Sequence, residues 1–163
     1  MLTDPAILRQ AMRFWTTGVT IVTASAEGRS HGMTVNSFTS VSLEPPQILI
    51  SLAHNTRTHA LVARSGKFGV TILSAGQQEI SDRFAGRIAD DQNRLAGLET
   101  FSLDGEIPLL KGGLAWLLCR VAQTIDSGSH SLFIAEVAAA RSAESGAPLA
   151  YFHQGYAALN LQA

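Results

Sequence analysis

Between residues 5 and 17 apolar side chains recur every three or four positions: Ile7, Leu8, Ala11, Met12 and Trp15. That is the spacing of one helix face. Thr3 or Asp4 caps the predicted helix, Pro5 stands in its first turn and Gly18 ends it. The pattern then becomes β-branched. "GVTIVTAS" reads as a strand, "AEGRS" as a turn with Gly28 available for positive φ, and "HGMTVNSF" as the returning strand of a hairpin. In "NSFTSVSLEPPQILISL" (36–52) a hydroxyl-rich run meets two prolines and becomes an apolar strand. Pro45 and Pro46 cannot donate to a ladder, so they mark a strand entry or an edge. "QILISLA" is apolar almost throughout, which predicts burial on both faces.

The second half alternates in the same way. "NTRTHALVARSG" is a short helix capped by Asn55 or Thr56 and ended by Gly66. "KFGVTILS" is a strand, and "AGQQEISDRFAGR" is helical, with Ile80 and Phe84 four apart on one face. From Ile88 to Gly113 the pattern weakens, and "ADDQNRLAGLE" reads as a loop or broken helix. "GLAWLLCRVAQTID" and "HSLFIAEVAAAR" flank the turn "SGS" as an antiparallel pair. "LAYFHQGYAALNL" supplies a last strand or two, broken at Gly155. About seven strands and three short helices, without βαβ alternation, predict a mainly β chain: an antiparallel barrel with short flanking helices. No Gly-x-Gly-x-x-Gly follows a strand, so a Rossmann nucleotide site is not indicated.

Composition narrows the classes. The 163 residues suit a single domain over 1–163, and 46% apolar with 15% charged residues describes a folded chain. A net charge of -1 without a basic stripe argues against a nucleic-acid partner. The single cysteine, Cys119, excludes an intrachain disulfide and a cysteine-based zinc site. It fits a cytoplasmic location and, in its apolar run, reads as a small buried hydrophobe. The N-terminus lacks the pattern of a signal peptide, and no window approaches the ~18 apolar residues of a membrane span. His31, His54, His59 and His153 show no paired metal spacing, so no metal site is expected.

The stretches "GVTIVTA", "HGMTVNSFTSVSLEPPQILISL", "NTRTH", "SGKFGVTILSAGQQEISDRFAG", "TIDSGSHSLFIAEV" and "APLAYFHQGYAAL" occur in this order. Together they resemble the short-chain flavin reductases, the small reductase component of two-component flavin-dependent monooxygenases. The resemblance runs from about Ala11 to Leu159 and implies the FMN-binding split-barrel fold, an antiparallel split β-barrel. One departure stands out: the family's Gly-Asp-His is here Gly128-Ser129-His130.

On residue chemistry alone, Thr34 to Ser42 reads as a strand and turn whose hydroxyls satisfy nearby backbone. The resemblance instead implies that Met33, Thr34, Val35, Asn36 and Ser37 face the isoalloxazine and ribityl chain, with Ser40, Val41 and Ser42 along the flank. Ser51, Leu52, Ala53, Asn55, Thr56, Arg57 and Thr58 combine a strand end with a helix cap, and a helix N-terminus beside an arginine also holds a phosphate. Phe84 reads as core by itself; the resemblance places Phe84 and Ala85 near the flavin. Arg87 and Arg94 are candidates for the phosphate or a second nucleotide. His130 would order the dihydronicotinamide for hydride transfer, where geometry is what a protein supplies. Tyr151, Phe152 and Tyr156 read as a dimer or core anchor.

The resemblance therefore implies an NAD(P)H:flavin oxidoreductase. NADH or NADPH would reduce FMN or FAD, and the reduced flavin would serve a separate oxygenase component. A homodimer is implied as well. Two other classes stay open on the residues: a flavin-binding carrier without its own NAD(P)H activity, for which Ser129 speaks, and a split barrel with an empty pocket, against which the hydroxyl run speaks. The phosphate contacts of a pyridoxamine phosphate oxidase are not apparent.

Overall fold

The computed structural model describes residues 2–87, 93–157 and 159. Its long strands are β2 (Thr20–Ala26), β3 (Arg29–Val35), β4 (Phe38–Leu43), β5 (Pro46–Ala53), β6 (Lys67–Ile72), β9 (Ala115–Ser127) and β10 (His130–Ser142). They form one antiparallel sheet in the order β3-β2-β6-β9-β10-β5-β4. Short strands make two smaller sheets. One joins β1 (Thr17–Gly18), β11 (Ala150–Phe152) and β12 (Gly155–Ala157); the other pairs β7 (Thr100–Phe101) with β8 (Leu109–Leu110). Three helices flank them: α1 (Pro5–Met12), α2 (Arg57–Ser65) and α3 (Gln78–Phe84). This is the mainly β, antiparallel split barrel with short flanking helices that the sequence implied.

Strand β2 explains how the sheet holds two cores. Val22 and Ala24 join one cluster with Ile50, Leu52, Val62, Phe68 and Phe133. Ile21, on its other face, joins a second with Val19, Leu73, Phe84, Leu110 and Leu149. Successive side chains of a strand point to opposite faces, so a strand between both clusters is buried on both, and its Thr20 and Thr23 hydroxyls are satisfied by the Val35 and Pro108 carbonyls.

Three sequence expectations change. The first helix ends at Met12, not at Gly18. None of its residues is buried, so no packing prolongs it; Gly18 is instead drawn into β1 by pairing with Ala150. Strand β5 is not buried on both faces. Ile48, Ile50 and Leu52 enter the core, whereas Leu49 and Ser51 look into a cavity. The expected strand through "NSF" breaks at Asn36 and Ser37, and the hydroxyl run is itself strand β4. Of the expected loop after Ile88, residues 88–92 lie outside the described residues; 93–98 form turns that Arg83 Nη2 grips by donating to the Ala96 carbonyl at 2.7 Å.

Two local features set the site's walls. Asp4 caps α1, its Oδ1 accepting from Ala6 N–H at 2.7 Å. Gly32 lets α3 lie directly on β3, since a Cβ there would stand 2.7 Å from Phe84 Cε1. The fully buried Phe84 ring therefore depends on the absence of a side chain one strand away.

Candidate functional site

Site construction begins at the break between β3 and β4. Thr20 Oγ1 donates to the Val35 carbonyl at 2.7 Å, closing β3. Ser37 is pinned to β5 twice: its Oγ donates to the Ser51 carbonyl at 2.7 Å, and its own carbonyl accepts from Ser51 N–H at 3.2 Å. Asn36 between them is exposed. Two cavities open onto this segment, and a third adjoins one of them through Thr34 and Ala85.

The first, of about 400 Å³, is cationic. Met33 and Thr34 of β3, Thr56, Arg57 and Thr58 at the start of α2, and Phe84, Ala85 and Arg94 line it. Thr56 is the N-cap of α2, accepting from His59 N–H at 3.3 Å. The next N–H groups, of Arg57 and Thr58, belong to the first turn, where an α-helix has no internal acceptor. Arg94 Nη1 donates to the Phe84 carbonyl at 2.7 Å, which holds its guanidinium at the rim. Two guanidinium groups and a helix N-terminus on one concavity suit a phosphate.

The second cavity, of about 160 Å³, shares Thr34 and Ala85 with the first and adds Asn36, Ser81, Arg87, Tyr151 and Tyr156. Thr34 Oγ1 donates to the Ser81 carbonyl at 2.6 Å. Tyr156 Oη lies 2.9 Å from both Ser81 Oγ and Asp82 Oδ1, and its single proton can serve only one of them. Burial, then the Asp82 carboxylate, pushes the Tyr156 phenol above its ordinary value. Arg87 bridges Asp82 at 3.1 Å and Tyr151 Oη at 3.2 Å, and the Tyr151 contact leads the causes that keep its guanidinium charged.

The third and largest, of about 550 Å³, is mostly apolar. Trp15, Val19, Phe38, Leu49 and Ile72 face Asn36, Ser37 and Ser51 across it. Thr17 also lines this cavity, and its Oγ1 is buried behind the wall without a hydrogen-bond partner. The exposed Asn36 carboxamide is the polar group this cavity offers a ligand. Apolar walls, a polar edge and a cationic end together fit a flavin: a flat ring, its polar rim and its phosphate.

The structure thus brings Met33, Thr34, Asn36, Ser37, Ser51, Thr56, Arg57, Thr58, Phe84 and Ala85 onto one connected set of cavities. The side chains of Val35 and Leu52 lie in the core instead, so only their backbones can meet a ligand. Ser40, Val41 and Ser42 sit on the edge strand β4, where a bulge interrupts the register at Val41. Ser42 Oγ accepts from Glu44 N–H at 3.1 Å, which is turn chemistry. Ala53 ends β5 and Asn55 is exposed in the turn that follows. His130 begins β10 directly opposite Ala53, exposed, with Nδ1 2.9 Å from Ser129 Oγ. It lies beside the α2 end of the site without lining the cavities described.

Trp15 and Thr17, which sequence reasoning missed, come from a segment whose helical period hid them. Tyr151 and Tyr156 pack against the second core cluster, as core anchors do, and they also face the middle cavity with Arg87. Tyr151 pairs with Thr17 of β1 across most of the chain and with Tyr156 of β12, and no local pattern signals the first pairing.

Residues 12–160 match the family described as a flavin reductase like domain. An NADH-dependent flavin reductase of Pseudomonas fluorescens is 40% identical over 156 residues, 94% of this chain and 89% of that protein. The styrene monooxygenase flavin reductase of Pseudomonas putida S12 superposes with a TM-score of 0.84 at 38% identity, covering 96% of this chain and 99% of that one. An NADH:FAD oxidoreductase of Streptomyces globisporus C-1027, solved with NAD and FAD fragments, gives a TM-score of 0.88 at 29% identity over 98% of this chain and 96% of that one.

Proposed function

This chain belongs to the flavin reductase like domain family, and we propose on that premise which residues and partners serve its activity as an NAD(P)H-dependent flavin reductase. The observation that carries the assignment is the position of Asn36, on both the apolar cavity and the middle one, which in turn shares Thr34 and Ala85 with the cationic cavity. Arg57 and Arg94, with the first N–H groups of α2, hold the phosphate of FMN or the corresponding group of FAD. The Asn36 carboxamide donates to the polar rim of the ring. Trp15, Phe38 and Leu49 cover the apolar part and exclude water. When bound, the flavin supplies the two-electron acceptor for the hydride of NADH or NADPH. His130 orders the nicotinamide; a hydride leaving carbon needs alignment and not a protein acid.

The reduced flavin serves a separate oxygenase, as the relative named for styrene monooxygenase suggests. The whole chain, 1–163, works as a single domain, and two copies form a homodimer. Exposed Ile7, Leu8, Met12, Phe14 and Trp15 support that assembly: they fall within residues 7–15 and are more than half exposed in one chain. Among the described residues no helix is long and apolar enough to cross a membrane. Cys119 is free and buried, and burial pushes its thiol up to about 12; a thiol kept reduced accords with a cytoplasmic location.

Anaerobic stopped-flow, pairing FMN and FAD with NADH and NADPH, tests the reading. Flavin bleaching well above the protein-free rate is expected with at least one pair. A rate no faster than the protein-free mixture would overturn it.

A further inference from the structure

The turn between β9 and β10 is tied to the start of α2 by side chains that the proposed chemistry leaves unused. Asp126 pairs with Ser131 across the hairpin. Its Oδ1 accepts the Ser131 hydroxyl proton at 2.7 Å. With that proton committed, Ser131 Oγ accepts from His59, whose Nε2 is 2.8 Å away. His59 therefore carries its hydrogen on Nε2. His54 Nε2 stands 3.5 Å from the same Asp126 oxygen, and the His54 ring meets His59 edge-on at 5.2 Å. His54 N–H also donates to the Ser129 carbonyl at 3.0 Å.

The residues on either side of His130 are thus both fastened to the segment that ends in α2. Ser129 is held by His54, and the buried Ser131 by His59. Thr56 and Arg57 lie between those two histidines in sequence.

We propose that Asp126 and Ser131 are positioning residues: through His59 they hold the β9–β10 turn against the first turn of α2, so that His130 and Arg57 keep a fixed separation. A nicotinamide ordered by one and a flavin anchored by the other then meet in register. This rests on the reading of His130 given above.

A double-mutant cycle separates the two. Asp126→Ala, Asp126→Asn, His130→Ala and the Asp126→Ala/His130→Ala pair are compared by anaerobic stopped-flow at saturating FMN, with FMN Kd and the unfolding midpoint measured for each. Asp126→Ala should raise the KM for NADH about three- to tenfold, the scale of one lost hydrogen bond, with FMN Kd within about twofold. Asp126→Asn keeps an acceptor oxygen for Ser131 and should restore nearly wild-type KM. In the His130→Ala background Asp126→Ala should add less than about twofold, because both act through one group. An equal effect in both backgrounds overturns the proposal, as does an unchanged KM, or a KM that moves only together with FMN Kd and the unfolding midpoint. If His130→Ala leaves NADH kinetics unchanged, the reading of His130 fails and this one with it. If His130→Ala acts and Asp126→Ala does not, only the brace fails.

Discussion

Thr34 and Ser37 have already committed their hydroxyl protons, one to the Ser81 carbonyl and the other to the Ser51 carbonyl. While those bonds stand, each hydroxyl offers a ligand only lone pairs. Asn36 carries two N–H donors and is exposed on two of the cavities. A flavin rim is mostly acceptors, so the three residues are not equivalent, although the sequence shows them as one polar run. Asn36→Ala should therefore weaken FMN binding by about 0.5–1.5 kcal/mol, and Ser37→Ala should act chiefly on stability. Flavin titration beside chemical denaturation reads both; an FMN affinity lost on Ser37→Ala without loss of stability would reverse the assignment. Arg57 makes a sharper case. As a phosphate ligand its removal should cost FMN about 1.5–3 kcal/mol and riboflavin, which has no phosphate, far less. Equal losses for the two would mean that Arg57 acts on the ring or on the fold of α2.

Among the elements, β3 and α3 work as a pair. Gly32 admits the Phe84 ring at a distance no side chain would tolerate. Arg94, bonded to the Phe84 carbonyl, and Ala85 both follow the placement of that ring. Gly32→Ala should overpack the contact and destabilise the protein by about 1–3 kcal/mol. It should weaken FMN binding at the same time, because α3 would shift away from the cavity it lines. Urea unfolding and flavin titration on one preparation check this, and an unchanged unfolding midpoint would mean that α3 yields without cost. The sequence announced the elements themselves wherever period and turn agreed. Gly28 and Gly128 take φ of 73° and 58° at the tips of the two hairpins read from their strands. Gly66 ends α2 at φ 65°, as its position suggested. What stayed hidden was set by distant partners. Strand β1 exists because Thr17 pairs with Tyr151, and two residues carry no period of their own. The Gly32–Phe84 contact likewise joins positions that neither neighbourhood foretells. Of the site, the residues in the "MTVNSF" and "NTRT" stretches were legible through the family resemblance, while Trp15, Thr17 and the Arg87–Tyr151 bridge required the fold.

At the scale of the whole molecule, α1 is the element least explained by one chain. It buries no residue, yet Ile7, Leu8 and Met12 give it an apolar face, and Phe14 and Trp15 extend that face past its end. A monomer gains nothing from holding such a surface in water. Trp15 also walls the largest cavity together with Asn36 and Ser37, so whatever covers α1 closes over the proposed ring site. In the proposed homodimer, assembly and flavin binding are then linked, since a ligand that binds only the assembled form stabilises it by mass action. Leu8→Glu places a charge on the apolar face outside the cavities described. It should shift sedimentation from dimer toward monomer at micromolar protein, and added FMN should move it back. FMN affinity should rise with protein concentration in this variant while staying constant in the wild type above its dimer dissociation constant. A monomeric Leu8→Glu protein that binds FMN as tightly as the wild type would place the whole ring site within one chain, and the apolar face would then need another partner.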